Sequence, residues 1–168
     1  PVKSVYAQMS TTVHMEKTKG EDNSIIILEF ENGVTALAEE SWTKPGGMDD
    51  RAEIHGSEGV AYADVLQGNS IQTYSNKGIG YAVEKAGNTK GWSYTMYEEN
   101  WNYGFPREME HFVDCVKNDK QPLVTGEDGR AVMEIVLAAY ESAGTGKKVE
   151  LPFKTDAAKP YDLWKNRD

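Results

Sequence analysis

One cysteine and three histidines in 168 residues leave little material for metal or redox chemistry. The lone thiol, Cys115, cannot close an internal disulfide, and a chain without disulfides fits a reducing cytoplasm, which is the expected compartment. His14, His55 and His111 are too scattered for zinc-ligand spacing, so no metal site is expected. Glu108 and His111 have the i, i+3 spacing of di-iron helices, but no second pair accompanies them, and His111 reads as a helix-flank residue. No apolar run approaches the roughly 20 residues a membrane span needs. No secretory leader is expected, and no Asn-x-Ser/Thr sequon occurs. Basic residues are outnumbered, 18 against 27 acidic, for a net charge of −9. That balance repels phosphate backbones and anionic lipid, so neither nucleic acid nor membrane is an expected partner. Gly-x-Ser-x-Gly does not occur. Gly78-x-Gly80 begins like a dinucleotide fingerprint, but Val83 stands where the third glycine belongs and no helix opens there. The acidic pairs Glu39-Glu40 and Asp49-Asp50 carry no mark of a tuned carboxyl and read as solvated surface.

What is present is strand pattern, from residue 2 to about 87. "VKSVYAQMSTTVHM" alternates from Val2 onward directly after Pro1, as expected of a fragment or a processed product. "SIIILEFENGVTALAEESW" predicts two strands around Asn32-Gly33, a strong hairpin signal. "RAEIHGSEGVAYADV" turns at Gly56-Ser57-Glu58-Gly59, and "NSIQTYS" with "GYAVEKA" predicts another pair across Asn76-Lys77-Gly78. Connections this short imply a largely antiparallel sheet.

Two helices follow. Met109, Phe112, Val113 and Val116 form the apolar stripe of one at about 105–118. The other, at about 126–143, has Thr125 as N-cap and Asp128 three positions on. From Ala131 to Tyr140 only Glu134 is charged, so this helix is expected to be buried on most sides, with alanines that let a neighbour approach, until Gly144 and Gly146 end it. A last strand, "KKVELP", returns to the sheet. The reading is an α+β domain over residues 1–152, with helices packed on one face of a large, open, mostly antiparallel sheet, and a polar tail over 153–168 that wraps the surface. Apolar residues on both sides of "SIIILEF" mark the second face as an interface.

One segment carries candidate chemistry. "KGWSYTMYEENWNYGFP", residues 90–106, holds Trp92, Tyr94, Tyr97, Trp101, Tyr103 and Phe105 without clear periodicity and reads as a loop. Its rings and hydroxyls suit a sugar or polyol, and Trp42, at the end of a strand, is similar in kind. The competing reading is a hydrophobic lid folded onto the sheet.

"PREMEHFVDCVKNDKQPLVTGEDGRAVMEIVLAAYESAGTGKKVELP", with Trp42, Arg51 and Gly56-Ser57-Glu58-Gly59-Val60 upstream, resembles the C-terminal domain of the Gfo/Idh/MocA oxidoreductases, the family of glucose-fructose oxidoreductase and inositol dehydrogenase. The resemblance covers nearly the whole chain. It implies a sheet fold of the kind also found in the C-terminal domain of glyceraldehyde-3-phosphate dehydrogenase, with an outer face that builds homodimers or tetramers. It further implies a preceding Rossmann domain binding NAD or NADP, which this chain lacks. The family's Glu-Lys-Pro motif is absent too: Glu16-Lys17 is followed by Thr18, in what reads as strand. No catalytic, cofactor-binding or metal residue is therefore assigned within these 168 residues, and the chain alone is expected to be inactive. Residues 92–97 fall where inositol dehydrogenase-like members place substrate contacts, so the resemblance implies Trp92, Tyr94 and Tyr97 as substrate residues, with Trp42 beside them. The parent would be a dehydrogenase or reductase of a sugar, polyol or related hydroxy compound. The alternative is a non-catalytic ligand-binding or oligomerisation module.

Overall fold

The computed structural model describes residues 1–45, 49–65, 71–78, 90–95 and 99–165. In chain order the elements are β1 (Val2–Ser10), β2 (Asn23–Phe30), β3 (Thr35–Ser41), β4 (Arg51–His55), β5 (Val60–Asp64), β6 (Ile71–Ser75), β7 (Gly91–Thr95), α1 (Glu99–Asn102), α2 (Phe105–Asn118), α3 (Gly126–Thr145), β8 (Val149–Glu150) and α4 (Pro160–Lys165). They fall into two compact units: Pro1–Lys44 with Leu123–Asp168, and Pro45–Pro122.

The first unit is a four-stranded sheet in the order β3-β2-β1-β8, antiparallel throughout, with α3 laid across β1. Alternation along the strands decides what meets the helix. Val5 and Ala7 pair with Leu28 and Ile26, and these pack with Ala138, Ala139, Ile135 and Ala143 of α3 into one core. The small side chains at Ala7, Ala138 and Ala139 let helix and sheet close together, and all three are buried. The opposite face carries a cross-strand row, Tyr6–Ile27–Leu37, with Ile25 beside it, and all four are exposed. Ser4 is buried on that side, where its hydroxyl donates to Glu29 Oε2 at 2.8 Å. Lys148 donates to the other oxygen at 2.6 Å, and this cation, with the Ser4 bond, holds the Glu29 carboxyl below its ordinary pKa.

The hairpin between β2 and β3 turns as expected at Asn32-Gly33, with Gly33 at φ 86°, a left-handed conformation that glycine adopts without cost. Gly33 N–H donates to Phe30 O, and Phe30 N–H to Val34 O, the pattern of a type I turn closed by a glycine bulge. β1, by contrast, stops at Ser10 and does not run on to Met15. Its would-be continuation is captured by a side chain: Asp22 Oδ2 accepts the backbone N–H groups of Thr12, Val13 and His14 at 3.0, 2.8 and 2.9 Å. Glu16-Lys17 therefore lies in a turn, and His14 in a loop between strands rather than in one.

Helix α3 begins at the capping box read from the sequence: the Thr125 hydroxyl accepts from Asp128 N–H, and the Asp128 side chain accepts from Thr125 N–H. It is not buried on most sides. Its first half, including Val132 and Met133, is exposed, and only Ala138, Ala139 and Ser142 are fully covered. Ser142 Oγ accepts from Ala7 N–H at 2.9 Å and donates to Lys147 O at 2.7 Å. It thus serves a strand N–H beyond the two residues of β8 that pair with β1. Gly146, at φ 66°, is the C-cap, whereas Gly144 lies inside the helix. The reason is α4. A Cβ at Gly144 would overlap the Leu163 carbonyl oxygen, with Trp164 Cα 3.0 Å away. The segment after Pro152 is thus more than a polar surface wrap: it forms a helix docked on α3 with Leu163 buried.

In the second unit, β4 and β5 form a hairpin closed by Gly56 N–H donating to Gly59 O at 2.8 Å, the turn the sequence marks. β6 pairs with β7, so one partner of "NSIQTYS" is the stretch 91–95 that reads as loop. "GYAVEKA" lies outside the described residues. Helix α2 spans the predicted residues, with Gly104 as a left-handed N-cap and a Pro at its start. All described strand pairs are antiparallel and the class is α+β, as expected; the described strands group as one set of four and two antiparallel pairs.

Candidate functional site

Trp92 is on β7 and Tyr74 lies opposite it on β6, with ring centroids 5.3 Å apart at 65°, an edge-to-face pair. Both are exposed, Trp92 at 67% and Tyr74 at 59%. A cross-strand aromatic pair of this kind stabilises a hairpin by about 0.2–1 kcal/mol. It also leaves indole and phenol surface open to a ligand. Reading 90–106 as a loop missed the pairing, because the signal is Tyr74, one strand away and outside the segment. The backbone of Tyr94 pairs with Gln72, and Tyr97 lies outside the described residues. Further along the same unit, Tyr103 and Phe105 meet edge to face at 6.0 Å, and Trp101 is exposed.

Trp42 belongs to the other unit. Its indole is 85% exposed, yet its backbone is clamped. Trp42 N–H donates to Asp22 O at 2.9 Å, and His14 Nε2 stands 3.4 Å from its carbonyl oxygen. The hydroxyls of Ser41 and Thr43, on either side, both donate to Asn23 Oδ1. Asp22 organises this end of the sheet. Burial alone would raise its carboxyl pKa, but the N–H groups of His14, Val13 and Thr12 and the Asn23 amide outweigh that and hold it well below the usual carboxylate range. Beside it, Glu21 accepts from the Tyr140 hydroxyl of α3, and burial together with that carboxylate pushes the Tyr140 pKa up. Nothing in the sequence singled out Asp22 or Tyr140. Their partners lie 8–10 and 119 residues away in the chain, and no motif spans either distance.

The remaining titratable candidates sort simply. His111 Nε2 lies 3.6 Å from the Sγ of the buried Cys115 one turn on, and Sγ also reaches Gln121 O at 3.6 Å. His55 stacks edge-on against Tyr62 and stands 3.3 Å from Glu53. Among the described residues no group of three or more His, Cys, Asp or Glu side chains is placed to hold a metal. Among them, too, no helix is long and apolar enough to cross a membrane.

A dinucleotide needs a helix N-terminus with open N–H groups and room for a diphosphate. The start of α3 does not offer the first. Its capping box occupies Thr125 and Asp128, and Glu127 and Asp128 place negative charge in the first turn. The start of α3 therefore does not fit the diphosphate of NAD(P).

Antiparallel strands, a long helix across one face of the four-stranded sheet and exposed aromatics define an α+β domain. Comparison with known families gives it a place: residues 1–151 match the oxidoreductase family, C-terminal alpha/beta domain, and the chain belongs to that family. It is 29% identical over 140 residues to scyllo-inositol 2-dehydrogenase (NAD(+)) of Bacillus subtilis, covering 83% of this chain and 38% of that protein. It is 26% identical over 153 residues to myo-inositol 2-dehydrogenase of Thermotoga maritima, covering 89% and 43%. Among solved structures, GenD2 from gentamicin A biosynthesis, in complex with NAD, superposes with a TM-score of 0.81 at 30% identity, over 90% of this chain and 42% of that one. The chain thus spans about two fifths of the proteins it matches.

Proposed function

We propose that this chain is the substrate-side and assembly domain of an NAD-dependent dehydrogenase that oxidises a cyclic polyol or sugar. The family match over 151 residues carries the reading, because the relatives it joins are named as inositol dehydrogenases and one is named for NAD(+). NAD is therefore preferred over NADP, and its site belongs to a part of the protein beyond these residues. Trp92, Tyr94, Tyr97 and Trp42 are the proposed substrate residues, with exposed indoles at Trp92 and Trp42 supporting the choice. Stacking of a ring's C–H face on an indole supplies affinity, and nearby hydroxyls supply orientation. The proposed setting is the cytoplasm.

The test is NADH production from a panel of cyclic polyols and sugars by this domain joined to its dinucleotide-binding half. Turnover is expected with NAD, and Trp92→Ala should raise KM more than it lowers kcat. Tyr94→Phe or Tyr97→Phe, each removing one hydrogen bond, should lower kcat/KM by about two- to twelve-fold. Unchanged kinetics in all three variants would refute the substrate assignment. The 168-residue chain alone should neither bind NADH in a fluorescence titration nor oxidise a polyol.

Assembly is proposed through the outer sheet face, where Tyr6, Ile25, Ile27 and Leu37 are exposed. Sedimentation at micromolar concentration should find a dimer or larger, and Leu37→Arg should dissociate it. A monomeric parent chain would sink that part of the reading.

A further inference from the structure

The tip of the β2–β3 hairpin carries the only Asn-Gly sequence in the chain. Asn32 and Gly33 are both exposed, and a Cβ built on Gly33 would meet nothing within 4 Å. With no side chain on the following residue, the Gly33 nitrogen is unhindered toward its neighbour. We propose that Asn32 is a site of spontaneous deamidation and isoaspartate formation, held dormant by the geometry of its own turn.

The chemistry needs only base and water. The Gly33 backbone nitrogen gives up its proton to a base and attacks Asn32 Cγ. A new C–N bond closes a five-membered succinimide while the bond to the side-chain nitrogen breaks, and ammonia leaves. Water then opens the ring at either carbonyl, giving aspartate or, with the main chain rerouted through the former side chain, isoaspartate. No electrons are transferred.

Two hydrogen bonds oppose the first step in the folded hairpin. Gly33 N–H is already committed to Phe30 O at 3.0 Å, so removing its proton costs that bond. The Asn32 carboxamide is engaged as well, its Oδ1 accepting from Val34 N–H at 3.2 Å, so the side chain must give up that bond to swing freely onto the Gly33 nitrogen. Reaction therefore waits for the turn to open, and the exposed tip of a hairpin is among the first places in a fold to do so. None of the other asparagines combines a following glycine with such a position.

The test is ageing of the purified chain at mildly alkaline pH, folded and in urea, with peptide mapping and enzymatic methyl labelling of isoaspartate. Asn32 should convert before any other asparagine, about tenfold or more faster in urea than in the folded chain. Asn32→Gln, whose longer side chain would have to close a six-membered ring, should abolish the early product while the far-ultraviolet spectrum stays that of the parent. Earlier conversion at any other asparagine would overturn the site. Equal rates in the folded and unfolded chain would overturn the gate.

Discussion

Replacing Gly144 with alanine pits two effects of opposite sign against each other. Within a helix, alanine is preferred to glycine by about 0.5–1 kcal/mol, because it gives up less backbone freedom on folding. Here, however, the added methyl would occupy the space of the Leu163 carbonyl oxygen, with the carbonyl carbon and Trp164 Cα each 3.0 Å away. These are backbone atoms and cannot rotate aside, so α4 must shift or leave. Leaving sets the ceiling on the damage. The one fully buried side chain in the described part of α4 is Leu163, and exposing a buried leucine costs about 1.5–3 kcal/mol. Subtracting the helix gain leaves a net loss of about 0.5–2.5 kcal/mol. Urea unfolding followed by far-ultraviolet circular dichroism reads the net value, and amide exchange over 160–165 reads whether α4 is still docked. A second variant isolates the cause. With Leu163→Ala already weakening the contact, Gly144→Ala should become neutral or stabilising. If Gly144→Ala alone stabilises the chain while 160–165 stays protected, the close approach inferred at Gly144 is wrong.

Asp22→Asn should lower the urea midpoint at neutral pH, because one amide oxygen cannot replace two carboxylate oxygens that accept three backbone N–H groups. The Asp22 pKa is depressed by folding, so its contribution is full above the unfolded value of about 3.9 and is lost as pH falls below it toward the folded value. Parent and variant should therefore converge as the solution is acidified below about pH 4, and midpoints that stay parallel would exclude this role. Ser142→Ala removes the partner of Ala7 N–H and Lys147 O and should cost about 1–3 kcal/mol, a larger loss than an exposed serine would give. Thr125→Ala, which removes one half of the α3 capping box, should cost about 0.5–2 kcal/mol in the same assay.

Local signals were legible where the causes are local. The Thr125–Asp128 box and the Asn32-Gly33 and Gly56–Gly59 turns are written in four or five consecutive residues, and the structure places each where the sequence does. The α2 span followed from its helical stripe and is observed at Phe105–Asn118. What failed depended on distant partners. Alternation in 2–15 predicted one long strand, because nothing in those residues reveals that Asp22 will take the N–H groups of 12–14. Gly144 reads as a helix stop, since only the docking of α4 shows why a helix interior would tolerate glycine there. Of the site candidates, Trp92 was found as an exposed aromatic but without its partner Tyr74, and Trp42 was found without its backbone clamp. Composition identifies a ring that can stack. It does not identify the frame that holds the ring still.

The distribution of apolar bulk bears on why such a domain would need that frame. The fully covered positions between sheet and helix are small, Val5, Ala7, Ala138 and Ala139, while Ile25, Ile27, Leu37, Trp42 and Trp92 stand exposed. A domain arranged only for its own stability would invert this, since about 25 cal/mol is gained for each Å² of apolar surface removed from water. The inversion has separate causes at separate places. At β1–α3 it follows from close helix–sheet approach, which only small residues permit. On the outer face, Tyr6–Ile27–Leu37 lies in register across three strands, a flat apolar row suited to burial against a similar surface in the proposed assembly. Trp42 differs from both, because four side chains, those of His14, Asn23, Ser41 and Thr43, spend polar groups on fixing the segment around it while its ring gains no cover. Rigid backbone beneath an exposed aromatic reduces the ordering cost of binding, which is why Trp42 is kept among the proposed contacts although folding alone does not explain its exposure.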